Sequence, residues 1–443
     1  MPSEQCTELA SEPTLQGKVY MPDTAEYDTR LGEYYSANAA LAPSCMVLPM
    51  TTEDVSLVAA TIHKNKRQFG MRTGGHSAFP GSNSVEGGVT VDFGDYMNVT
   101  TYSTGDETAV IQGGSTWGQA YATLDPFGVT VAGGRASVVG VGGFITGGGY
   151  SFHSSAVGFA CDTVRNFEIV LANGTVVNAN ANENSDLWLL RREDVQVTNK
   201  LWAGFIAYQS AELPQVYQTY VDFVNNMDSD PDSQALLGMV ANESPVIQHS
   251  ALNSVFSDTI NNIVPIFTGP TPLGLFSNWI VEMYSSDVRV ITFIDEALAR
   301  AAAKMRDAAP SSVFQVLLEL QPVTPSIVCR GAANGGDILG LESVIADGHA
   351  VMFLIALTVD TAEHQDIILP LTLEFRDEMN AYANTSGLNK NGKYAPYAFA
   401  GQDPLAHYGA ENIALMQAVS RRYDPTADFQ ILRRSGFKIP GLA

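Results

Sequence analysis

The run Gly133-Gly-Arg-Ala-Ser-Val-Val-Gly-Val-Gly-Gly-Phe-Ile-Thr-Gly-Gly-Gly149 places eight glycines in seventeen residues. So many missing side chains imply that a large ligand, or another stretch of backbone, approaches closely throughout. The spacing rules out two familiar nucleotide loops. Counted from Gly140 and Gly142, a Gly-x-Gly-x-x-Gly fingerprint needs a glycine at position 145, where Ile145 stands. No Gly-Lys-Ser/Thr follows, so the run is not a phosphate loop of the Walker type. A glycine-rich β-domain without a catalytic role stays open as the alternative.

Upstream lies a second constellation, Arg72-Thr-Gly-Gly-His-Ser77. Two adjacent glycines after a strand let the chain turn sharply and present consecutive N–H groups, a nest suited to pyrophosphate oxygens. His76 then stands beside whatever the phosphates anchor. A plain β-turn carrying a surface histidine is the competing reading. Gly75-His-Ser-Ala-Phe79 lacks the last glycine of a nucleophile elbow, which argues against a serine hydrolase.

Working outward, residues 46–49 and 68–72 read as strands flanking a helix that starts near Thr51, with Thr52 as its cap, and runs to Lys66. Residues 27–38 read as a short helix and 116–124 as another, with Trp117, Ala120, Tyr121 and Leu124 on one face. The runs 88–92, 108–112 and 128–132 have β character. Residues 164–171 and 175–178 read as a hairpin around Ala172-Asn-Gly174. Beyond Trp202 glycine thins out. Helical stretches at 216–227 and 290–306 then alternate with strands at 312–318 and 351–359, and a helix at 409–422 is stopped by Tyr423-Asp-Pro425.

The formal charge of -23 repels phosphate backbones and anionic lipid, so neither nucleic acid nor a membrane surface is expected as a partner. No stretch approaches the roughly 20 apolar residues of a membrane span. The most apolar run, 350–359, reads as a buried strand or core helix. No signal peptide is visible, although Asn98, Asn173, Asn242 and Asn384 each begin a glycosylation sequon. Four cysteines, none spaced Cys-x-x-Cys, read as buried thiols and give no metal site.

The ordered set of motifs resembles the vanillyl-alcohol oxidase family in its fungal, berberine-bridge-like branch. Carrying the resemblance are Pro43-Ser-Cys45, the Arg72–Ser77 motif, Gly88-Val-Thr-Val-Asp92, Gly114-Ser-Thr-Trp-Gly118, the Gly133–Gly149 run, Cys161-Asp-Thr-Val164 through Gly174, and Asp186-Leu-Trp188. At the C-terminus, Gln402-Asp-Pro-Leu405, Tyr408-Gly409, Tyr423-Asp-Pro-Thr-Ala-Asp-Phe-Gln430 and Gly436-Phe-Lys438 match as well. The resemblance implies an α+β fold. Its parts are an N-terminal segment (1–40), a PCMH-type two-subdomain FAD-binding domain (41–213), an α+β substrate domain with an antiparallel sheet (214–390), and a C-terminal segment (391–443) returning to the flavin domain.

It implies FAD-dependent oxidation of a small organic molecule (an alcohol, a sugar or a secondary-metabolite intermediate), with O2 as acceptor, by a monomer without metal. FAD is expected to be bound covalently through His76 by a single link, since the position of a second, cysteinyl link in some relatives is Ala136. The cofactor residues it implies are Arg72, Thr73, Gly74, Gly75, His76, Ser77, Gly81, Gly134, Val138, Gly140, Gly142, Gly143, Gly147, Tyr150 and Ile169. A Cys6–Cys45 disulfide is expected by the same resemblance, which favours a secreted protein.

Two departures leave alternatives open. Leu189-Leu-Arg-Arg-Glu-Asp194 replaces a longer glycine-rich stretch, and Tyr394-Ala-Pro-Tyr397 has Pro396 where relatives place asparagine. Tyr397 is the first choice to orient or deprotonate substrate, with Tyr394 beside it; a tyrosine base needs its pKa of about 10 lowered. A non-redox cyclase or isomerase, or a remnant unable to bind FAD, are the rival readings.

Overall fold

The computed structural model describes residues 4–94, 96–188, 197–208, 210–243, 254–333 and 338–442. The 189–194 departure lies outside the described residues.

The N-terminal part is built on a four-stranded sheet in the order Val19–Tyr20, Cys45–Val47, Val89–Asp92, Phe69–Arg72. The last three strands are parallel and the first is antiparallel at the edge. The Thr52–Asn65 helix crosses between two of the parallel strands. Its cap is Thr51, not Thr52: the Thr51 hydroxyl accepts from the Asp54 N–H, the Asp54 carboxylate reaches back, and this box closes the first turn. The Thr52 hydroxyl instead donates to Glu168 at 2.6 Å.

Cys6 and Cys45 form a disulfide that ties the first helix to a buried strand. Of the other two cysteines, Cys161 is buried as expected; Cys329 is exposed, on the Pro325–Ala333 helix. The disulfide spans 39 residues, and a loop of that size is worth about 3–4 kcal/mol through the unfolded state. Reductant is therefore expected to lower the melting temperature of the wild type but leave Cys6→Ser unmoved. Equal sensitivity of both in a thermal melt would show that the bond does not carry this stability.

Short ribbons follow, Thr100–Ser103 with Thr108–Ile111 and Asn166–Val170 with Val176–Asn180. The third part is a four-stranded antiparallel sheet in the order Leu237–Asn242, Phe314–Val323, Ala350–Val359, Phe276–Ser285. The 350–359 run is thus a strand. Side chains alternate across a strand, so Phe314, Val316, Leu318 and Leu320 pack with the Leu213–Asn226, Val288–Ala308 and Ala362–Thr385 helices. Gln315, Leu317 and Glu319 emerge on the opposite face, which forms one wall of a large cavity.

The C-terminus returns to the first sheet. Phe429 meets the Phe69 ring at 5.7 Å, and Asp428 accepts from Lys66 at 2.8 Å and lies 2.6 Å from His63 Nδ1. Arg433 donates to the Ser82 carbonyl at 2.6 Å.

Candidate cofactor and substrate site

The strand Phe69–Arg72 ends and the chain turns through Gly74 and Gly75, the latter at φ +67°. Here the two glycine-rich segments touch. A Cβ on Gly74 falls 2.4 Å from the Gly140 nitrogen, and one on Gly140 falls 2.3 Å from the Gly74 nitrogen. A Cβ on Gly142 comes within 2.8 Å of Thr73 Cγ2, and one on Gly134 within 2.4 Å of Trp117. Gly74 and Gly140 are required because backbone packs on backbone, Gly142 and Gly134 because the Thr73 and Trp117 side chains press against them.

Above this crossing opens a cavity of about 2030 Å³, larger than the roughly 300–1,000 Å³ of an ordinary small-molecule site. Thr73, Gly74, Gly75, His76, Ser77, Gly134, Gly140, Gly142, Gly143, Gly147, Tyr150 and Ile169 all line it. Among the described residues nothing accepts from the N–H groups of Gly74, Gly75 or Ser77. A dinucleotide-sized, phosphate-bearing cofactor fits such a cradle, in space and in donors left to satisfy.

Three residues expected at the cofactor lie off the cavity wall. Arg72 points away and holds the strand end: its guanidinium donates to Asp92 at 3.2 Å and to the Glu33 carbonyl at 3.1 Å, and sits 4.2 Å over the Tyr34 ring. Gly81, at φ +74°, faces Ser435. Val138 presents its carbonyl to the Gly74–Gly140 crossing.

His76 stacks on Tyr35 at 4.0 Å, and Trp279 packs 5.7 Å from both rings. Burial pulls the His76 imidazolium down to about 4, so the ring is neutral near pH 7 and its nitrogen lone pair is free of a proton. From Trp279 the aromatic wall continues to Tyr397 at 5.5 Å and on to Tyr394 at 5.0 Å. The Tyr394 hydroxyl accepts from the Gly149 N–H at 2.8 Å, with its ring stacked on Phe159. It pins the end of the glycine run. Pro396 presses on Gly147, where a Cβ would meet it at 2.5 Å.

At the sheet side the cavity ends in a polar cluster. Arg135 donates to Gln321 Oε1 at 2.6 Å and to the Tyr397 hydroxyl at 3.3 Å, with its guanidinium 4.7 Å over the Tyr150 ring. Gln321 in turn donates to Glu319 at 3.2 Å. Burial pushes the Glu319 carboxyl above its ordinary value, against the opposing pull of Arg135. Burial likewise pushes the Tyr397 phenol up, which disfavours a phenolate at neutral pH.

The fungal protein FAD-dependent monooxygenase sdcF of Emericella nidulans is 30% identical to this chain over 99% of it and 98% of that protein. The chain belongs to the berberine-bridge-like family of FAD-dependent oxidoreductases. The family described as FAD binding domain matches residues 43–180 of this oxidoreductase. FAD-dependent monooxygenase drtC of Aspergillus calidoustus is also 30% identical, over 98% of this chain and 90% of its own length. The fold is that of solved flavoproteins. 6-Hydroxy-D-nicotine oxidase of Arthrobacter nicotinovorans superposes with a TM-score of 0.75 at 19% identity, covering 97% of this chain and 99% of that one. A glucooligosaccharide oxidase of Acremonium strictum gives 0.71 at 15%, covering 95% of each.

Several residues of this berberine-bridge-like site escaped the sequence reading. Arg135 stood inside the quoted glycine run without a role. Glu319, Trp279 and Tyr35 reach the cavity only through the fold, and Gln321 stands buried behind it, bonded to Arg135 and Glu319. Their one local signal is a carboxylate in a strand of apolar residues, Phe314 to Val323.

Proposed function

We propose that the protein oxidises a small organic substrate by hydride removal, in the cavity between the glycine cradle and the substrate-side sheet, with FAD tethered to His76. One observation carries this reading: the same cavity is lined by a cradle of unpaired N–H donors and neutral His76 on one side, and by Glu319, Arg135 and Tyr397 on the other. When bound, FAD supplies the hydride acceptor, and O2 is the proposed final oxidant.

The chain's own residues divide the remaining work. His76 is the attachment point, and Ala136 offers no second one. Tyr35 and Trp279 hold the His76 ring in place from the sides. Tyr394 fixes the Gly149 backbone, and Tyr397 orients the substrate through its hydroxyl. Glu319 accepts the substrate's O–H or N–H proton; its raised pKa brings a carboxylate closer to the range useful to a general base. The walls around this cluster exclude water and strengthen each polar contact.

The test is an absorption spectrum before and after acid precipitation. Yellow colour is expected to stay in the wild-type pellet and to pass into the supernatant for His76→Ala. Colour in the supernatant for both would rule out the His76 link, and a colourless folded wild type would rule out FAD. Because the fungal relatives are named monooxygenases, incorporation of one oxygen atom is the second reading. One hydrogen peroxide per product, with no label from 18O2 in the product, distinguishes the oxidase.

A further inference from the structure

Arg135 Nη1 is buried and has no hydrogen-bond partner. The other side of the guanidinium is spent on neutral acceptors, the Gln321 carbonyl and the Tyr397 hydroxyl. Among the described residues no carboxylate lies within ion-pair distance of Arg135 (4.0 Å), although the chain carries 47 acidic residues against 24 basic ones. A charge removed from water is costly unless it is paired. The Tyr150 ring beneath it returns only part of that cost. Glu319, reached through Gln321, acts on it only from a distance, so an anion in direct contact would have to enter the cavity that Arg135 lines.

The position of the guanidinium says which anion. Its contacts, Gln321 and Tyr397, belong to the substrate side, and Gln321 links it to Glu319 on the sheet. The sheet wall beside it is apolar at Trp279, Leu317, Leu354 and Ala356, with the polar row Ser277, Gln315 and Thr358 further along the strands. A sugar needs neutral donors and acceptors along its whole edge, and the rows beside Arg135 offer few.

We propose that Arg135 is the substrate anchor, binding an anionic oxygen on a planar, conjugated molecule: a carboxylate, or the conjugate base of a phenol or enol. The inference rests on the reading of this cavity as the flavoprotein's substrate chamber. The anchored oxygen sits where Arg135 lines the cavity, the conjugated body lies along Trp279 and Tyr397, and Glu319 stands at the far side of Gln321 to take a proton.

The experiment is a calorimetric titration of the holoenzyme with sodium benzoate, with 4-nitrophenolate, and with benzyl alcohol as the neutral control. Benzoate or 4-nitrophenolate is expected to bind one to one, and benzyl alcohol more weakly. Which of the two binds better separates a carboxylate substrate from a phenolic or enolic one. Arg135→Met is expected to weaken the anion by about tenfold to a hundredfold, as for a lost hydrogen bond to a charged group. Arg135→Lys, which keeps charge and stem, should recover part of the loss and guards against a misfolded variant.

Binding of neither anion, or equal affinity in wild type and Arg135→Met, overturns the proposal. So does an Arg135→Met protein with unchanged anion affinity and an altered resting flavin spectrum, which would give the guanidinium to the cofactor. The visible spectrum of the same sample separates this outcome from failure of the flavin reading. A yellow protein blind to both anions refutes the anchor alone; a colourless protein that binds them through Arg135 refutes the flavin alone.

Discussion

Gly140→Ala is expected to yield a protein carrying little or no flavin. The added Cβ would lie 2.3 Å from the Gly74 nitrogen, 2.7 Å from its Cα and 2.8 Å from Thr73 Oγ1. Two of these three atoms are backbone, so no side-chain rotation relieves the clash. The segments must part by roughly 1 Å to regain ordinary contact. That movement pulls the turn bearing the free Gly74, Gly75 and Ser77 N–H groups away from the cavity floor, and a nest works only while its donors converge. Overpacking alone costs about 1–3 kcal/mol, and the lost cofactor contacts add to it. The ratio of flavin to protein absorbance checks the first effect and a thermal melt the second. Gly105→Ala is the control, since a Cβ there meets nothing within 4 Å. Full flavin content in Gly140→Ala would mean that the two loops do not cross as described.

This crossing also shows why the glycine-lined half of the candidate site was legible in the sequence. A glycine demanded by backbone contact leaves its mark at its own position, whatever the rest of the chain does. Eight glycines from Gly133 to Gly149, and the pair Gly74-Gly75, announce close approach without revealing whether backbone, as at Gly140, or a side chain such as Trp117 or Pro396 makes it. Arg72 shows the limit. The resemblance groups it with the cofactor residues, while its guanidinium turns to Asp92, brought alongside by a parallel strand. A side chain's direction depends on neighbours far along the chain. The helix cap failed more narrowly: Thr51 and Thr52 are both good caps, and only Asp54 three residues on from Thr51 decides between them.

The substrate half was hardly legible. The strand from Phe314 to Val323 alternates faces, but one sequence does not say which face is covered by helices and which by a ligand. Glu319 is a carboxylate among apolar residues until three helices cover the even-numbered side and leave it in the cavity. Tyr397 was easier to find and harder to assign. Its motif was visible, whereas the burial that pushes its phenol up was not.

Glu319→Gln is expected to lower kcat by about 10²–10⁴-fold, the usual size of a general-base contribution. The substitution keeps the shape, and the glutamine carbonyl can still accept from Gln321, so binding should change little. The pH dependence is more decisive than the loss itself. Burial raises the Glu319 carboxyl above its ordinary value, and Arg135 and the Gln321 hydrogen bond only partly oppose it. The working form is the carboxylate, so wild-type kcat/KM should rise with pH through that raised value and then level off. In Glu319→Gln the rise disappears. Stability should move in the opposite direction. A carboxyl whose folded pKa is raised favours the fold while protonated, below its unfolded pKa, and that advantage is lost as pH rises through the folded pKa. Glutamine mimics the protonated form at every pH. Above the folded pKa of Glu319 the variant should therefore melt no lower than the wild type while turning over far more slowly. Tyr397→Phe supplies the comparison, with a smaller loss and the acid limb intact. If Tyr397→Phe abolishes the limb and Glu319→Gln preserves it, the proton goes to the tyrosine, and Glu319 is left to position Gln321 and, through it, Arg135.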